Sequence, residues 1–351
     1  MDRGFEHLTR RALAGGRGKP TSPLFRLSET LLSRAQHRPA RLLATAAISK
    51  HEKTLDKNTT GLGSLPLTWP HKGWTEKMLL DVVPSHREPR TVGDRFAWRV
   101  TRICRWAMDF VTGMGPEQKV DSKHPTTAVA AHRPLTESQW LVRFIFLESI
   151  AGVPGMVAGA LRHLHSIRRL KPDHGWIKTL LEESYNERMH LLTFLQMYQP
   201  SRLMRFMVFA AQGIFYNTFF ISYLVSPKIC HRFVGYLEEE AVHTYTRCLR
   251  EMDAGSLLGW TKEDFKIPDI AVKYWNMQEG RRSMRDLILH IRADEASHRG
   301  VNHTLSNLDQ SSDPNPFIVQ DSNGGHTLNE KQVAVIKPRG LEREEIFKRR
   351  E

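Results

Sequence analysis

The chain has 351 residues, and its content of 40% hydrophobic and 25% charged residues supports a sizeable buried core and excludes a wholly disordered chain. Its three cysteines are too few for a disulfide framework, and no two of them have the spacing of a thiolate metal site. The formal net charge of +13 indicates an anionic partner, either a nucleic acid or a membrane surface.

The first fifty residues carry much of this positive charge, with ten Lys/Arg residues against three Asp/Glu residues. A segment rich in Arg, Ser and Thr with few acids is typical of a mitochondrial transit peptide. Arg41 lies three residues before Ala44, as at a processing site, so the sequence predicts a transit peptide over residues 1–43. A nucleic-acid-binding tail is the alternative. No later segment resembles a nucleic-acid-binding module, and we expect no nucleic-acid partner.

The rest of the chain divides by its composition. Residues 44–92 are punctuated by Gly and Pro and are predicted to form an extended N-terminal arm. Residues 93–307 have helical periodicity with almost no strand-like alternation, which predicts an all-α domain. Residues 308–351 are polar and interrupted, as in a C-terminal tail. We place six helices, at about 93–112, 135–168, 173–199, 201–225, 227–253 and 280–307.

Two of these helices suggest a membrane. The first has an apolar face with basic residues opposite, which suits either a helix lying on an anionic bilayer or a surface helix that covers a core. That face is formed by Phe96, Val100, Ile103, Ala107 and Phe110. The fourth helix has no charged residue between Phe206 and Pro227, so it is long enough to cross a bilayer.

Acids and histidines recur at metal-ligand spacing on the other four helices. Two Glu-x-x-His motifs alternate with two single glutamates, and residues three apart share one face of a helix. In chain order the residues are Glu148, Glu187 with His190, Glu238, and Glu295 with His298. This is the ligand set of a di-iron carboxylate four-helix bundle. Surface salt bridges are the alternative, but Glu148 lies in an apolar run where an unpaired carboxylate is costly to bury.

A third Glu-x-x-His motif competes for the site. Glu240 and His243 overlap Glu238, and Glu238 and His243 are about 140° apart around an ideal helix, so they do not share a face. Tyr245 is seven residues after Glu238 and therefore lies on the same side as that glutamate. Spacing alone does not choose between the two sets.

Four segments resemble the signature boxes of the mitochondrial alternative oxidases, and the likeness runs from about residue 66 to 307. The boxes are residues 146–156, 186–191, 237–241 and 292–299. These enzymes are cyanide-insensitive ubiquinol oxidases that reduce O2 to water without pumping protons. The resemblance implies a ferritin-like di-iron four-helix bundle with two interfacial membrane-binding helices. It implies that the two irons are bound by Glu148, Glu187, His190, Glu238, Glu295 and His298.

The resemblance also implies roles for residues around the irons. Tyr245 corresponds to a redox-active tyrosine, and Asn186 and Asp294 correspond to residues that support the ligands. The implied quinol pocket comprises Arg143, Leu147, Glu240, Ala241 and Thr244. Phe144 occupies a pocket position that varies among members. The chain lacks the regulatory cysteine of the plant enzymes, which favours a fungal or protist type.

The location of the ligands restricts the membrane topology. The fourth helix lies between His190 and Glu238, and a single crossing would place these two residues on opposite sides of the bilayer. We therefore expect this helix to lie on one leaflet, together with the first. The resemblance implies the matrix side of the mitochondrial inner membrane and a homodimer. The alternatives are a membrane-associated di-iron quinone-ring hydroxylase and an iron-storage or structural bundle.

Overall fold

The computed structural model describes residues 69–71, 73–115, 134–318 and 337–347. The predicted transit peptide and residues 44–68 of the predicted arm lie outside the described residues. Within the described ranges the regular structure is helical and includes no strand, which confirms the all-α fold class. The helices are α1 Glu76–Leu80, α2 Val92–Thr112, α3 Glu137–Arg169, α4 Trp176–Met197, α5 Arg202–Val225, α6 Pro227–Asp253, α7 Asp269–Tyr274, α8 Met284–Asn307 and α9 Arg343–Phe347.

Local signals in the sequence explain where the long helices begin. Thr91, Thr136 and Ser283 form capping boxes at the starts of α2, α3 and α8, and each satisfies backbone N–H groups that the helix leaves open. Helix α6 begins with Pro227 after the cap residue Ser226. Proline is favoured at that position because its missing N–H would have no partner there. The four caps therefore fix the residue at which each of these helices begins.

Helices α3, α4, α6 and α8 form a four-helix bundle, in which α3 packs mainly on α4 and α6 mainly on α8. Helix α8 is the most enclosed, because every residue from Leu287 to Ser306 is buried. Helix α2 packs on α6, and α5 packs on α3 and α6. The bundle therefore has a central interior that four separate helices can reach.

Helices α2 and α5 expose many of their large apolar side chains, although Met204, Phe219 and Tyr223 of α5 are buried. On α2 the outward residues include Phe96, Ile103, Trp106 and Phe110, and on α5 they include Leu203, Phe206, Phe209, Ile214, Ile221 and Leu224. Two helices of the described ranges are long and apolar enough to cross a membrane, α3 and α5. Over the apolar window of each helix, 56% is buried within the protein in α3 and only 11% in α5. Helix α3 is therefore a core helix, and α5 has an outward apolar surface.

The described parts of the predicted arm and tail contain buried residues, which their polar composition did not indicate. In the arm, Trp74, Leu79 and Val82 belong to the main core. In the tail, Phe317 and Leu341 are buried, and the Leu341 amide donates to the Thr304 hydroxyl of α8. Both segments cover α8, which explains why that helix is enclosed.

Candidate metal centre

Each helix of the bundle contributes to one buried cluster of carboxylates and imidazoles. Helix α3 provides Glu148, α4 provides Glu187 and His190, α6 provides Glu238, and α8 provides Glu295 and His298. These residues form two overlapping groups, and within each group the candidate ligand atoms lie within 4.8 Å of one another. Both groups contain Glu187 and Glu295. The arrangement can hold two adjacent cations with two glutamates shared between them.

The distances show how closely the donors converge. His190 Nδ1 lies 3.2 Å from Glu148 Oε2, 3.2 Å from Glu295 Oε1 and 3.5 Å from Glu187 Oε2. On the other side, His298 Nδ1 lies 2.7 Å from Glu187 Oε1 and 3.6 Å from Glu295 Oε2. The two imidazoles therefore face the same pair of carboxylates from opposite ends.

The electrostatics of the cluster are those of a cation site. Burial, followed by repulsion from Glu295 and Glu187, raises the pKa of Glu148 and of Glu238 well above the usual value. Burial would also raise the pKa of Glu187, but the imidazoles of His190 and His298 lower it instead. Both carboxylate oxygens of Glu187 and of Glu295 are buried, and the imidazoles of His190 and His298 are the polar groups that face them. Four carboxylates this close are unfavourable without compensating charge, and a bound cation would supply it.

The carboxylate of Asp294 fixes His190 from behind. Its Oδ2 lies 3.2 Å from His190 Nε2, so the opposite ring nitrogen, Nδ1, faces the cluster. Such a partner on the outer nitrogen sets the tautomer and orientation of a metal-binding histidine. The other donors to Asp294 are Asn186, His71, Trp74 and Trp275, at 2.7–3.1 Å.

Sequence reasoning identified Asn186 and Asp294 but missed the remaining donors to that carboxylate. His71 and Trp74 are more than 200 residues away along the chain, and Trp275 lies in the segment between α6 and α8. No spacing pattern links them to the ligands. Glu183 was also missed, although it precedes Glu187 by one helical turn. Burial raises its pKa to about 7, and both carboxylate oxygens accept hydrogen bonds from Asn302.

Tyr245 lies on the cluster side of α6, as its separation of seven residues from Glu238 indicates. It is fully buried, and its hydroxyl donates to Glu148 Oε1. Burial, with the nearby charge of Glu148, raises the pKa of the phenol well above its usual value. The ring stacks on Phe144 with centroids 4.8 Å apart. The phenol is therefore neutral and its proton points at a cluster carboxylate.

The competing pair on α6 lies outside the cluster. Glu240 is paired with Arg105 at 2.7 Å and with Arg102 at 3.0 Å, both on α2. Among the described residues, neither Glu240 nor His243 belongs to a group with metal-ligand geometry. The structure gathers Glu238 with the other carboxylates instead.

A cavity of about 570 Å³ connects the apolar surface to the cluster. Its walls come from α2, α3, α5 and α6, and both Glu238 and Glu295 line it. All five residues of the predicted quinol pocket also line it: Arg143, Leu147, Glu240, Ala241 and Thr244. The space is largely apolar, with polar groups concentrated where α2, α3 and α6 meet.

Arg143 is the buried cation of that polar region. Its guanidinium donates to Asp109 Oδ1 and to the Thr112 hydroxyl, each at 2.6 Å. Burial lowers the pKa of Arg143 to about 10, which leaves it charged at neutral pH. Arg105 donates to Glu240 at 2.7 Å and to the Thr244 hydroxyl at 3.4 Å. The cavity can therefore hold an apolar molecule that has one polar end.

Comparison with known proteins assigns a family to this arrangement. The sequence model of the family "Alternative oxidase" matches residues 74–307. The chain is 58% identical over 340 residues to a mitochondrial alternative oxidase of Gelasinospora, covering 97% of this chain and 92% of that protein. It is 64% identical over 291 residues to a mitochondrial alternative oxidase of Neurospora crassa, covering 83% and 80%. A mitochondrial alternative oxidase of Pyricularia oryzae is 61% identical over 292 residues, covering 83% and 76%.

Proposed function

The chain belongs to the alternative oxidase family and is a mitochondrial terminal ubiquinol oxidase, and we propose that it reduces O2 at two iron ions bound in the buried cluster. The proposed ligands are Glu148, Glu187, His190, Glu238, Glu295 and His298. The observation that carries the proposal is the cavity, because it runs from an exposed apolar surface to Glu238 and Glu295. A membrane-soluble reductant needs such a path.

The donor set supports iron. Carboxylate and imidazole ligands without thiolate suit iron or manganese better than softer metals. The buried carboxylates of Glu187 and Glu295 belong to both candidate ligand groups, so these two glutamates would help to hold both ions. Bound iron would supply the redox capacity for O2 reduction, which no arrangement of these side chains has alone.

We propose that the quinol pocket comprises Arg143, Leu147, Glu240, Ala241 and Thr244. The ubiquinol head group would lie at the polar end of the cavity, where Arg143, Arg105 and Glu240 offer donors and a carboxylate. The isoprenoid chain would follow the apolar walls of α2 and α5. Oxidation of a quinol at this end of the cavity would release protons together with its electrons.

Tyr245 is the proposed redox-active residue. Its hydroxyl faces Glu148 Oε1, so the phenol can give up an electron while its proton moves to that oxygen. Asp294 and Asn186 are proposed to position the ligands. Asp294 accepts from His190, and Asn186 donates to Asp294 at 3.1 Å. Neither residue needs to change protonation for that role.

The membrane arrangement is proposed from the exposed apolar faces of α2 and α5. Only one helix between His190 and Glu238, α5, has the length and hydropathy to cross a bilayer, and a crossing would separate two ligands that the fold holds together. We propose that α2 and α5 lie on one leaflet of the inner membrane, with the bundle on the matrix side. Protease added to mitochondria stripped of their outer membrane should leave the mature chain uncut. Cleavage on one flank of α5 would contradict this topology.

Two further proposals follow from the family resemblance and the basic leader. The mature protein is a homodimer. Sedimentation of the purified protein in detergent would test this state. Residues 1–43 are a transit peptide, residues 44–92 an arm, residues 93–307 the catalytic domain and residues 308–351 a tail. A chain that starts at Ala44 should bind as much iron as the full chain when both are expressed in bacteria.

The decisive experiment is ubiquinol-dependent O2 uptake by the purified, iron-loaded protein in the presence of cyanide. Isotopically labelled O2 should give labelled water and no labelled quinone. A quinone-ring hydroxylase would place label in the quinone ring. Uptake without ubiquinol, or label in the quinone, would overturn the proposal.

A further inference from the structure

Helix α2 is joined to the bundle by polar contacts at two places, one towards each end of the helix. Towards the C-terminal end, Arg105 pairs with Glu240 at 2.7 Å, within the polar region around Arg143. Towards the N-terminal end, Arg232 of α6 donates from Nε to Asp94 Oδ1 at 3.0 Å. Arg232 and Asp94 are not among the residues that line the cavity. The second attachment therefore acts on α2 from outside the proposed quinol pocket.

The pair of Asp94 and Arg232 is buried and held rigidly. Their side chains are 11% and 3% exposed. The two terminal nitrogens of Arg232 donate to His303 Nδ1 at 2.9 Å and to the Asn307 side-chain oxygen, both on α8. The second carboxylate oxygen of Asp94 accepts from the Thr91 amide at 3.0 Å, in the capping box of α2. A planar guanidinium fixed at all three nitrogens holds its partner in one direction, so the pair ties the first turn of α2 to the most enclosed helix.

The residues beside this pair form one end of the cavity. A Cβ atom on Gly93 would lie only 3.0 Å from Cγ1 of Ile229, so the missing side chain lets α2 approach α6 closely at this point. Ile229 lines the cavity. One turn further along α2, Phe96, Ala97 and Val100 line it as well. The position of the first turns of α2 therefore sets the wall at this end of the cavity.

A shift of this end of α2 would change one part of the cavity and leave the other in place. The polar end contains Arg143 and Thr244, and it is bounded by the part of α2 that Glu240 holds through Arg105. The apolar end lies beside the first turns of α2, along the proposed path of the isoprenoid chain. Because cavity lies behind these turns and their opposite face is exposed, close packing restrains them less than it restrains a core helix. The buried pair is therefore the contact that best fixes the width of the apolar end.

We propose that Arg232 is a positioning residue for ubiquinol, because through Asp94 it holds the first turns of α2 as a wall that fits the isoprenoid chain. The proposal rests on the proposed quinol pocket, and it assigns recognition of the chain to a pair that the quinol does not touch. A buried ion pair can specify one arrangement without adding much stability. A pair that only stabilised the fold would affect iron content and unfolding and leave the preference for chain length unchanged.

The test uses the full iron-loaded chain in detergent, with ubiquinols that carry either one or four isoprenoid units. The single variants are Arg232→Gln and Asp94→Asn, and the double variant combines them and leaves no unpaired charge. The matched control is Arg95→Gln, the same change as the first at the exposed position next to Asp94. For each protein kcat, KM for both quinols and iron content are measured. Hydrogen–deuterium exchange of residues 92–104 reports on the first turns of α2.

In both single variants, KM for the four-unit quinol should rise several-fold, while KM for the one-unit quinol, kcat and iron content stay as in the wild type. Exchange of residues 92–104 should become faster. The double variant should show no larger rise than either single variant, because all three break the same pair. If the single variants do not fold, the double variant decides the question.

The proposal is overturned if KM rises equally for both quinols, or if the ratio of the two KM values matches that of Arg95→Gln. It is also overturned if the effects of the two single changes multiply in the double variant, since Arg232 would then not act through Asp94. Each of these results leaves the oxidase function intact. Absence of ubiquinol-dependent O2 uptake by the wild type would instead contradict the oxidase function itself, and this inference with it.

Discussion

Replacing Asp294 with asparagine tests the idea that one carboxylate organises the surroundings of His190. The carboxylate is buried at 2% exposure, and each of its oxygens accepts more than one hydrogen bond. Oδ1 faces His71 Nε2 and Trp74 Nε1, both at 2.8 Å. Oδ2 faces the donors of Asn186, Trp275 and His190. The asparagine amide presents an oxygen to only one of these two groups.

The expected loss follows from that geometry. Whichever way the amide turns, at least two donors lose an acceptor and face an NH2 group. A hydrogen bond to a charged group contributes about 1.5–3 kcal/mol, so the free energy of unfolding should fall by about 3–6 kcal/mol. For a domain of this size each kcal/mol corresponds to about 2–4 °C, which predicts a drop in Tm of roughly 6–24 °C.

Circular dichroism during thermal unfolding of purified Asp294→Asn checks the prediction. The iron content is measured on the same sample. Asp253→Asn is the matched control, because Asp253 is 53% exposed in its ion pair with Arg285. Exposed pairs contribute about 0–1 kcal/mol, so the control should melt within a few degrees of the wild type. If Asp294→Asn melts with the control and retains its iron, the carboxylate does not have the organising role inferred here.

Three further predictions concern the centre and the core. Tyr245→Phe removes one hydrogen bond, which should lower the free energy of unfolding by about 0.5–1.5 kcal/mol. Iron content and Tm should therefore change little, whereas O2 uptake should collapse. Near-normal O2 uptake would show that Tyr245 is not part of the mechanism. His243→Ala should retain stoichiometric iron and Glu238→Ala should lose it, as measured by metal analysis; the reverse result would make the Glu240 motif the site. Burial lowers the pKa of His231 from 6.5 to about 4. Between those pH values the unfolded chain binds the proton and the folded chain does not, so acidification through this whole range should cost about 3 kcal/mol of stability, of which about 2 kcal/mol is lost between pH 7 and pH 5. Urea unfolding of the wild type and His231→Gln at pH 7 and pH 5 checks this, and equal losses in both would contradict it.

The helices were predictable to within a few residues because their apolar periodicity and their caps agree. The last bundle helix was predicted to begin near residue 280, but it begins at Met284 because Ser283 provides the capping box. The near-complete burial of that helix was not predictable, since its sequence contains many polar residues. The structure satisfies them from distant segments: Arg292 donates to the Leu79 carbonyl, and Arg299 donates to the Val83 carbonyl.

The candidate ligands were predictable because helical spacing and family boxes coincide on four separate helices. Spacing alone did not decide whether Glu238 or Glu240 faces the other carboxylates. In the structure Glu238 faces them, and Glu240 lies on another face of α6, where it pairs with Arg102 and Arg105. The donors around Asp294 could not be foreseen, because their positions depend on how the arm and the segment after α6 fold back. Local sequence carries no information about such long-range hydrogen bonds.

The contacts of Arg87 have a consequence for when the molecule can finish folding. Its buried guanidinium donates to the Arg339 carbonyl, to Asn307 and to Glu342, so a residue near the start of the fold takes its partners from near the end of the chain. A polypeptide delivered into an organelle with its N-terminus first exposes Arg87 long before residue 342 emerges. An unpartnered guanidinium at a buried position is unfavourable. In an import that starts from the N-terminus, Arg87 and the segment from 337 to 347 can pack together only after translocation is essentially complete, and until then the α8 side of the bundle stays incomplete.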